Sequence, residues 1–422
     1  MTRSRFWKKH AVFLSLLLLG AAIRVLYVMG TPHSVREHDV WGHIAYIGYV
    51  AENWEIPPPH GNSQFYHPPL YYFLTAPLVT LGKEMRWDNA QTLFSIQLVS
   101  LALSIGVLAI ALWIGRMLID EKHRKSFVLY GLIIATFPSL VFFAARINND
   151  ALYHFFAFAG LAFIIRYWKT HALRDWVAVA AIIGLGLLTK THIVLLIPIA
   201  YACLLLQKRL SWRTKAQRLL LSLVIITLVG GWFHALRFRD EGGLRSTVLG
   251  NVEVLTNFVE NGLPSYLTFN PVEIVHHPYN NPFQDKERRH YFWEYLYRSA
   301  FFGEYNLGAE RQLLAITLLL TGMALGSLTV LTLWQEFRAH RLPHFPVLFT
   351  LVTVITAHVI YRVLYPYSSS QDFRYSILVL IPLAWAASMP VAREWPVLRE
   401  ARSTLITMLA ALSTILLASL SL

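Results

Sequence analysis

The chain has 422 residues, of which 55% are hydrophobic and only 14% charged, and its mean hydropathy is +0.46. A soluble domain carries about 25% charged residues, so this composition excludes one and indicates a membrane protein. The net charge of +13 could suggest a nucleic-acid partner. The basic residues, however, cluster in short loops between apolar runs, which is the positive-inside pattern of membrane proteins. We therefore expect no nucleic-acid partner.

The apolar runs predict an all-α polytopic membrane protein with a single integral membrane domain over residues 1–422 and about eleven transmembrane helices. The predicted spans are residues 11–30, 92–118, 126–145, 151–168, 176–188, 193–206, 219–235, 313–334, 345–364, 376–391 and 404–420. The basic start of the chain places the amino terminus inside and the carboxyl terminus outside. A cleaved signal peptide is the alternative for residues 11–30, but Arg24 interrupts that run and no small-residue cleavage site stands out.

The first outer loop, residues 31–91, holds the densest mixture of acids, histidines, aromatics and prolines in the chain. We expect it to be the catalytic loop, because chemistry is concentrated in loops that a rigid scaffold positions. Within it, residues 68–82 predict an interfacial helix that Tyr71, Tyr72 and Phe73 anchor in the outer leaflet. A tilted span is the alternative, but it would move every later basic loop to the outside.

Two further features complete the predicted outer face. Residues 176–188 and 193–206 predict a hairpin of short spans with Lys190 at its outer tip, because one long span would place the next basic loop outside. Residues 236–311 form a long outer segment rich in turn residues and aromatics. Loops of this length are usually functional or disordered, and we expect this one to pack over the site.

Polar groups accumulate at the predicted outer ends of the spans, where ionisable side chains serve a site or snorkel to water. They are Glu37, His38, Asp39, His43, Arg146, Asn149, Asp150, Lys190, His192, Asp372, Arg374 and Tyr375. Each has a plainer interpretation. Lys190 and Arg146 could snorkel to lipid headgroups, and Asp150 could cap the following helix. Asp372 and Arg374 could form an exposed ion pair of little energetic value.

The acidic start of the first loop offers two carboxylates. Positions 37 and 39 do not share a face if the segment is helical, whereas Asp39 and His43, four residues apart, can share one. His43 then either covers Asp39 or binds a metal ion. This geometry favours Asp39 over Glu37 as the reactive carboxylate.

Several short motifs occur in order along the chain. They are Arg24-Val25-Leu26-Tyr27, Glu37-His38-Asp39, Tyr66-His67-Pro68-Pro69-Leu70-Tyr71-Tyr72, Asn149-Asp150-Ala151-Leu152, Gly186-Leu187-Leu188-Thr189-Lys190 before Pro198, and Arg374-Tyr375 before Pro382. With them the chain resembles the GT-C fold glycosyltransferases that use polyprenyl-phosphate sugars, within the protein O-mannosyltransferase and aminoarabinose-transferase-like group. Residues 292–305 resemble a segment of uncharacterised bacterial relatives. One departure is that His38 separates two acids that are often adjacent in the family.

The resemblance implies transfer of a sugar from a polyprenyl-phosphate donor to a glycan, lipid or protein acceptor, with inversion, at the outer (periplasmic) face of a bacterial inner membrane. Membrane lipid is then a further partner. Fixed cations stabilise a departing lipid phosphate, and the candidates are Lys190, Arg374 with Tyr375, and Arg146. A carboxylate takes the acceptor's proton, and Asp39 is the candidate with Glu37 as its competitor.

The remaining polar groups have supporting roles in this interpretation. His43, Asp150 and Asp372 would orient the acceptor or a metal, and a divalent metal ion, if used, would take Asp39, His43 and Asp150 as ligands. Two alternatives remain open: a lipid-sugar flippase or transporter, and a glycan polymerase or ligase that uses a lipid-pyrophosphate donor. Transporters usually hold polar groups at mid-membrane in broken spans, whereas here these groups lie at the outer ends.

Overall fold

The structure is a computed structural model, and it describes residues 3–37, 39–241, 259–280, 291–338, 344–390 and 395–421. His38 and two stretches of the long outer segment, 242–258 and 281–290, lie outside the described residues. Within the described ranges all elements of regular secondary structure are helices, which confirms the predicted all-α class.

The α-helices in chain order are α1 Arg3–Met29, α2 Val40–Asn53, α3 Leu70–Glu84, α4 Asn89–Leu118, α5 Arg124–Thr136, α6 Pro138–Phe142, α7 Asp150–Thr170, α8 Leu173–Leu187, α9 Leu196–Leu205, α10 Trp212–Ile226, α11 Trp232–Glu241, α12 Pro264–Leu267, α13 Pro271–His276, α14 Phe292–Phe302, α15 Gln312–Arg338, α16 Phe345–Leu364, α17 Leu380–Ser388 and α18 Pro396–Ser421. A π-helical turn, Thr227–Gly231, joins α10 to α11. Short 3-10 helices include Phe143–Ala145, Thr191–Leu195, Ser368–Gln371 and Phe373–Val379.

Among the residues that the structure describes, seven helices are long and apolar enough to cross a membrane, and a bent pair, α5 with α6, makes an eighth if it is one span. The chain is therefore an integral membrane protein. The predicted count of eleven is not confirmed. The difference lies in α8, α9 and α17, which have 15, 10 and 9 residues, whereas a perpendicular span needs about 20.

Contacts divide the chain into two compact units, which are described separately. Unit 1 comprises Met1–Gly30, Ala111–Phe142 and Leu255–Leu422. Unit 2 comprises Thr31–Ile110 and Phe143–Val254, so it contains the predicted catalytic loop and the predicted hairpin.

In unit 1, a buried arginine accompanies the bend of 50° between α5 and α6. Pro138 has no backbone N–H and cannot continue α5, so the last carbonyls of that helix need other donors. Arg24 of α1 is completely buried, and its Nη1 donates to the carbonyls of Gly20 at 2.9 Å and Ala135 at 3.1 Å. The polar residue that interrupts the first apolar run thus links α1 to the broken helix.

In unit 2, α2 packs residues at helical spacing against the start of α3. Val40, Tyr46, Ile47 and Val50 form this apolar face, and the ring of Tyr46 stacks on that of Tyr72 at 3.6 Å. The helix predicted at 68–82 is present as α3, and its interfacial position stays a prediction. Its predicted anchors are wrong in part, because Tyr71 and Tyr72 are completely buried and hold α3 to α2.

The predicted break between α8 and α9 is also present in unit 2. A Cβ added to Gly186 would lie 2.4 Å from Cγ1 of Ile193, so the connecting 3-10 helix folds back closely against α8. The tip is tied to two other segments: Leu70 N donates to Leu188 O at 2.8 Å, and Asn149 Nδ2 donates to Thr189 O at 3.1 Å. Three segments that are distant in sequence therefore meet around this tip.

The described part of the long outer segment is fastened to α16 within unit 1. The α11 helix extends into the predicted segment 236–311 and continues to Glu241. Arg362 donates to Glu260 O at 2.7 Å and to Asn261 Oδ1 at 3.0 Å, and Asn261 Nδ2 donates in return to Val363 O at 2.8 Å. These hydrogen bonds join the described residues Glu260 and Asn261 to the helical part of unit 1.

Candidate functional site

The first feature of the candidate site is a buried ion pair between Lys190 and Asp150 in unit 2. Lys190 follows α8 in an extended conformation, and Asp150 begins α7. Nζ of Lys190 donates to Oδ1 of Asp150, and the two side chains are 12% and 5% exposed. The plainer interpretations therefore fail: Lys190 is paired inside the protein, and Asp150 uses its carboxylate on Lys190.

Arg146 lies in the turn that precedes α7 and is also buried, with 4% exposure. Its guanidinium carbon is 4.5 Å from the centroid of the Phe143 ring, a cation–π arrangement. This position contradicts the alternative in which Arg146 snorkels to lipid headgroups. Its assignment to the donor phosphate stays a prediction.

A stack of histidines and tyrosines lies beside the ion pair. Nδ1 of His43 is 2.8 Å from the Tyr72 hydroxyl, and the rings of His43 and His67 stack at 5.7 Å. Burial lowers the pKa of His67 well below its usual value, and the neighbouring charges of His43, Lys190, Asp150 and His192 also act on it. His67 was not among the predicted site residues, although it stands in the Tyr66–Tyr72 motif.

The lowered pKa of His67 makes stability depend on pH. In the unfolded chain this imidazole titrates near 6.5, whereas the folded protein holds it neutral to a lower pH. The unfolded state therefore binds more protons below about 6.5, so stability is fully present above that pH and falls as the pH decreases. We expect the melting temperature in detergent to drop less between pH 7.5 and 5 for His67→Gln than for the parent. An equal drop in both proteins would contradict this origin.

The two acids of the first loop have different environments at the start of α2. Glu37 Oε2 accepts a hydrogen bond from Val40 N at 2.9 Å and so serves the helix end. Asp39 is the N-cap residue in a left-handed conformation, φ 54° and ψ 26°, and its exposed side chain makes no capping hydrogen bond. Asp39 and His43 were predicted to share a helix face, and the structure joins them through the backbone, by the hydrogen bond from His43 N to Asp39 O at 3.2 Å. The side chain of His43 is buried, whereas that of Asp39 is exposed. These positions favour Asp39 over Glu37 as a group that reaches a substrate.

A metal site does not emerge among the residues that the structure describes. No group of three or more His, Cys, Asp or Glu side chains in these ranges could hold a metal ion. Two of the three predicted ligands have other partners: Asp150 forms an ion pair with Lys190, and His43 is hydrogen-bonded to Tyr72. The described side chains therefore do not fit the proposed ligand set of Asp39, His43 and Asp150.

In unit 1, the Asp372–Tyr375 motif forms a compact buried turn. Asp372 Oδ1 accepts from Arg374 N at 2.7 Å and thereby caps the 3-10 helix Phe373–Val379. Nη2 of Arg374 donates to the Tyr375 hydroxyl at 3.1 Å, and its guanidinium lies 5.0 Å from that ring. With exposures of 3% and 9%, Asp372 and Arg374 do not form the exposed ion pair of the alternative interpretation.

Two buried side chains hold this turn in place. Phe373 N donates to Ser299 Oγ of α14 at 2.9 Å. His358 of α16 is hydrogen-bonded to both ends of the turn, through Nε2 to Ser370 O at 2.9 Å and through Nδ1 to Ser376 Oγ. His358 was missed from the sequence, although a histidine inside an apolar span is the kind of residue that marks a functional region.

The predicted site residues are thus distributed over both units. Unit 2 holds Glu37, Asp39, His43, Arg146, Asp150 and Lys190, and unit 1 holds Asp372, Arg374 and Tyr375. Within unit 2 the structure brings Asp150, Lys190, His67 and His43 together.

Comparisons with known proteins add to this geometry. Residues 66–232 match the family described as dolichyl-phosphate-mannose-protein mannosyltransferase. The matched segment contains His67, Asp150 and Lys190, the residues that meet in unit 2. No curated protein sequence matches the chain.

Solved structures are similar to the chain over most of its length. The Archaeoglobus fulgidus oligosaccharyltransferase in its apo form has 14% identity and a TM-score of 0.55, covering 98% of this chain and 56% of its own. The chain therefore spans just over half the length of that protein. ArnT from Cupriavidus metallidurans in the apo state has 12% identity and a TM-score of 0.55, covering 97% of this chain and 78% of its own. The chain accordingly shares the fold of these two proteins, the GT-C fold that its motifs indicated, and its residues 66–232 match the family described as dolichyl-phosphate-mannose-protein mannosyltransferase.

Proposed function

We propose that the protein transfers a sugar from a polyprenyl-phosphate donor to an acceptor hydroxyl or amine at the outer (periplasmic) face of a bacterial inner membrane. The observation that carries the proposal is the buried Lys190–Asp150 pair beside His67, inside the family-matched segment. Fixed cations in such a poorly hydrated place stabilise a departing phosphate strongly. The ligands of two similar proteins support the donor class: ArnT was solved with undecaprenyl phosphate and the archaeal enzyme with a dolichol-phosphate.

The proposed reaction is a single displacement at the anomeric carbon of the donor sugar. The lone pair of the acceptor oxygen or nitrogen forms the new bond to this carbon. The bond between the carbon and the phosphate oxygen breaks at the same time, and its electron pair leaves on the lipid phosphate. Asp39 takes the proton of the acceptor. Attack opposite the leaving group inverts the anomeric configuration.

Lys190 and Arg374 are the proposed cations for the leaving phosphate. An ammonium carries three donors, so the geometry of an ammonium allows one Lys190 to donate to Asp150 and to a phosphate oxygen together. Pairing with Asp150 also keeps the ammonium compensated before substrate arrives, which matters because an uncompensated buried charge is strongly destabilising. Arg374 adds a planar fork that matches phosphate oxygens. The archaeal enzyme has also been solved with zinc and sulfate, but the reaction proposed here contains no step through a metal.

A donor panel tests the function. The purified protein is incubated with radiolabelled sugars on polyprenyl phosphate and with membrane extract as acceptor, and Lys190→Ala serves as the matched inactive variant. We expect label to move from one donor to the acceptor only with the parent protein. Translocation of intact donor across proteoliposomes without transfer would identify a flippase, and consumption of pyrophosphate-linked donors alone would identify a polymerase or ligase.

The outward orientation is tested by labelling single cysteines with an impermeant maleimide in intact cells. The background is Cys203→Ala, which removes the buried native cysteine. Trp41→Cys, His192→Cys and Glu310→Cys should label from outside, and Lys208→Cys only after the membrane is opened, because positive loops face inward. Labelling of position 192 only from the cytoplasm would refute the hairpin and the side assigned to Lys190.

A further inference from the structure

A glycine-dependent turn at the end of α14 brings a carboxylate back against that helix. Gly303 follows Phe302 with φ 61° and ψ −141°, a conformation that is open essentially only to glycine. The reversal allows Glu304 to meet Tyr295, nine residues earlier in the chain, and the Tyr295 hydroxyl donates to Glu304 Oε1 at 2.5 Å. In the Phe-Phe-Gly-Glu-Tyr sequence of the long outer segment, Gly303 therefore turns the chain so that the Glu304 carboxylate is held against α14.

The same face of α14 lies against the turn that holds Arg374. Tyr295 and Ser299 are one helical turn apart and share a face, and Ser299 Oγ accepts from Phe373 N at 2.9 Å. Tyr295 is completely buried. Burial first, and then the negative charges of Glu304 and Asp372, raise the pKa of its phenol well above the usual value, while Arg374 lowers it. Tyr295 therefore stays protonated and donates to Glu304, within the electrostatic reach of Asp372 and Arg374.

Glu304 is the accessible carboxylate of this cluster. Asp372 is buried and caps the turn through Arg374 N, whereas Glu304 is half-buried and lies on a segment that joins α14 to α15. A carboxylate held in one orientation by a tyrosine accepts strong hydrogen bonds from hydroxyl groups. Sugars present such groups on every face.

We propose that Glu304 binds hydroxyl groups of the donor sugar and so contributes to the choice of that sugar. The inference rests on the proposed function, because it assumes that Arg374 binds the donor phosphate. A sugar bonded directly to that phosphate has its hydroxyls within a few bond lengths of the guanidinium. Glu304 is bonded to Tyr295, on the face of α14 that meets the Arg374 turn through Ser299, and is therefore placed for the sugar, whereas the lipid lies on the far side of the phosphate.

The test compares a lipid phosphate with and without its sugar. For Glu304→Gln we expect unchanged affinity for plain undecaprenyl phosphate and a fall of about 10- to 100-fold in kcat/KM for the sugar donor, the usual scale for a hydrogen bond to a charged group. Tyr295→Phe should act in the same direction and less strongly. Glu310→Gln is the matched control, since Glu310 lies on the same segment with a side chain that is 65% exposed.

Donor analogues that lack one hydroxyl give a second measurement with the parent protein. With the parent protein, kcat/KM for the analogue that lacks the contacted hydroxyl should fall as much as kcat/KM for the complete donor falls in Glu304→Gln. Glu304→Gln should not lower kcat/KM for that analogue any further. Equal weakening of plain undecaprenyl phosphate, a change confined to the KM of the acceptor, or loss that is independent of every hydroxyl would overturn the proposal. Failure of the proposed function is distinguishable, because then plain undecaprenyl phosphate would bind equally to the parent and to Arg374→Ala.

Discussion

Asp39→Asn should lower turnover by about 10²–10⁴-fold, the range that a positioned general base contributes, while donor binding stays intact. The amide keeps the size and the left-handed N-cap position of the aspartate, for which asparagine is equally suited, but it cannot accept the acceptor's proton. Single-turnover measurements with saturating donor isolate this step. Binding of polyprenyl phosphate to the variant, measured separately, establishes that the fold is retained.

Two companion variants decide between the acids of the first loop. Glu37→Gln should be milder, because Glu37 serves the start of α2 and an amide oxygen can still accept from Val40 N. Asp88→Asn is the matched control, an exposed aspartate on the same loop whose carboxylate accepts from Gln91 N at 2.8 Å. Inactive Glu37→Gln beside active Asp39→Asn would move the base to Glu37. Activity in both variants would remove this loop from the proton transfer.

Arg374→Ala should reduce kcat/KM for the donor by an amount equivalent to about 2–4 kcal/mol of transition-state stabilisation, as expected for loss of one preorganised anion-binding group. Arg374→Lys should recover only part of this, because an ammonium lacks the planar fork that matches two phosphate oxygens. The tyrosine contact at 3.1 Å fixes the orientation of that fork, and a lysine would lose it. Arg399→Ala, an exposed arginine in α18, is the control.

A double variant tests whether both cations act on one phosphate. Lys190→Ala and Arg374→Ala should be clearly non-additive if each stabilises the same leaving group, since interaction energies of about 0.5–3 kcal/mol are usual for residues that share a partner. Strictly additive effects of the two substitutions would indicate that Lys190 and Arg374 act on different groups. Full activity of Arg374→Ala would exclude the late Arg-Tyr motif from donor binding.

The sequence predicted the helices better than the direction in which their side chains point. The helix expected at 68–82 appears as α3 Leu70–Glu84, because prolines and an apolar run define it locally. Tyr71 and Tyr72 were expected to face lipid, and instead they pack against α2. Aromatic residues suit a bilayer interface and a protein interior equally well, so only the presence of α2 decides between them.

In the candidate site, too, the sequence indicated the residues but not the contacts that their side chains make. The motifs singled out Asp150 and Lys190 as candidate site residues, but their mutual ion pair depends on a fold that returns the tip after α8 to the start of α7. Glu304 could not be assigned to Tyr295 from spacing, because nine residues do not share a helix face and the contact depends on the backbone of Gly303. Such contacts arise from tertiary structure and leave no periodic trace in the sequence.

The hydrogen bond from Arg24 to Ala135 has a consequence for the order of biogenesis. The two residues are 111 positions apart, so at about 5–20 residues per second the ribosome needs roughly 6–22 s to make the second after the first. During that interval α1 carries a guanidinium in the bilayer without this acceptor. An arginine at the centre of a membrane helix costs about 2.5–3.5 kcal/mol on insertion scales.

The place of Arg24 within α1 makes this delay tolerable. Met29, the end of the helix, lies five positions after Arg24, which is about 7.5 Å at the helical rise of 1.5 Å per residue. A long arginine side chain spans that distance and can keep its charge in the interfacial water. We therefore expect the nascent helix to enter the membrane with Arg24 extended toward the surface, and the side chain to bond to the Ala135 carbonyl only once α5 has been synthesised.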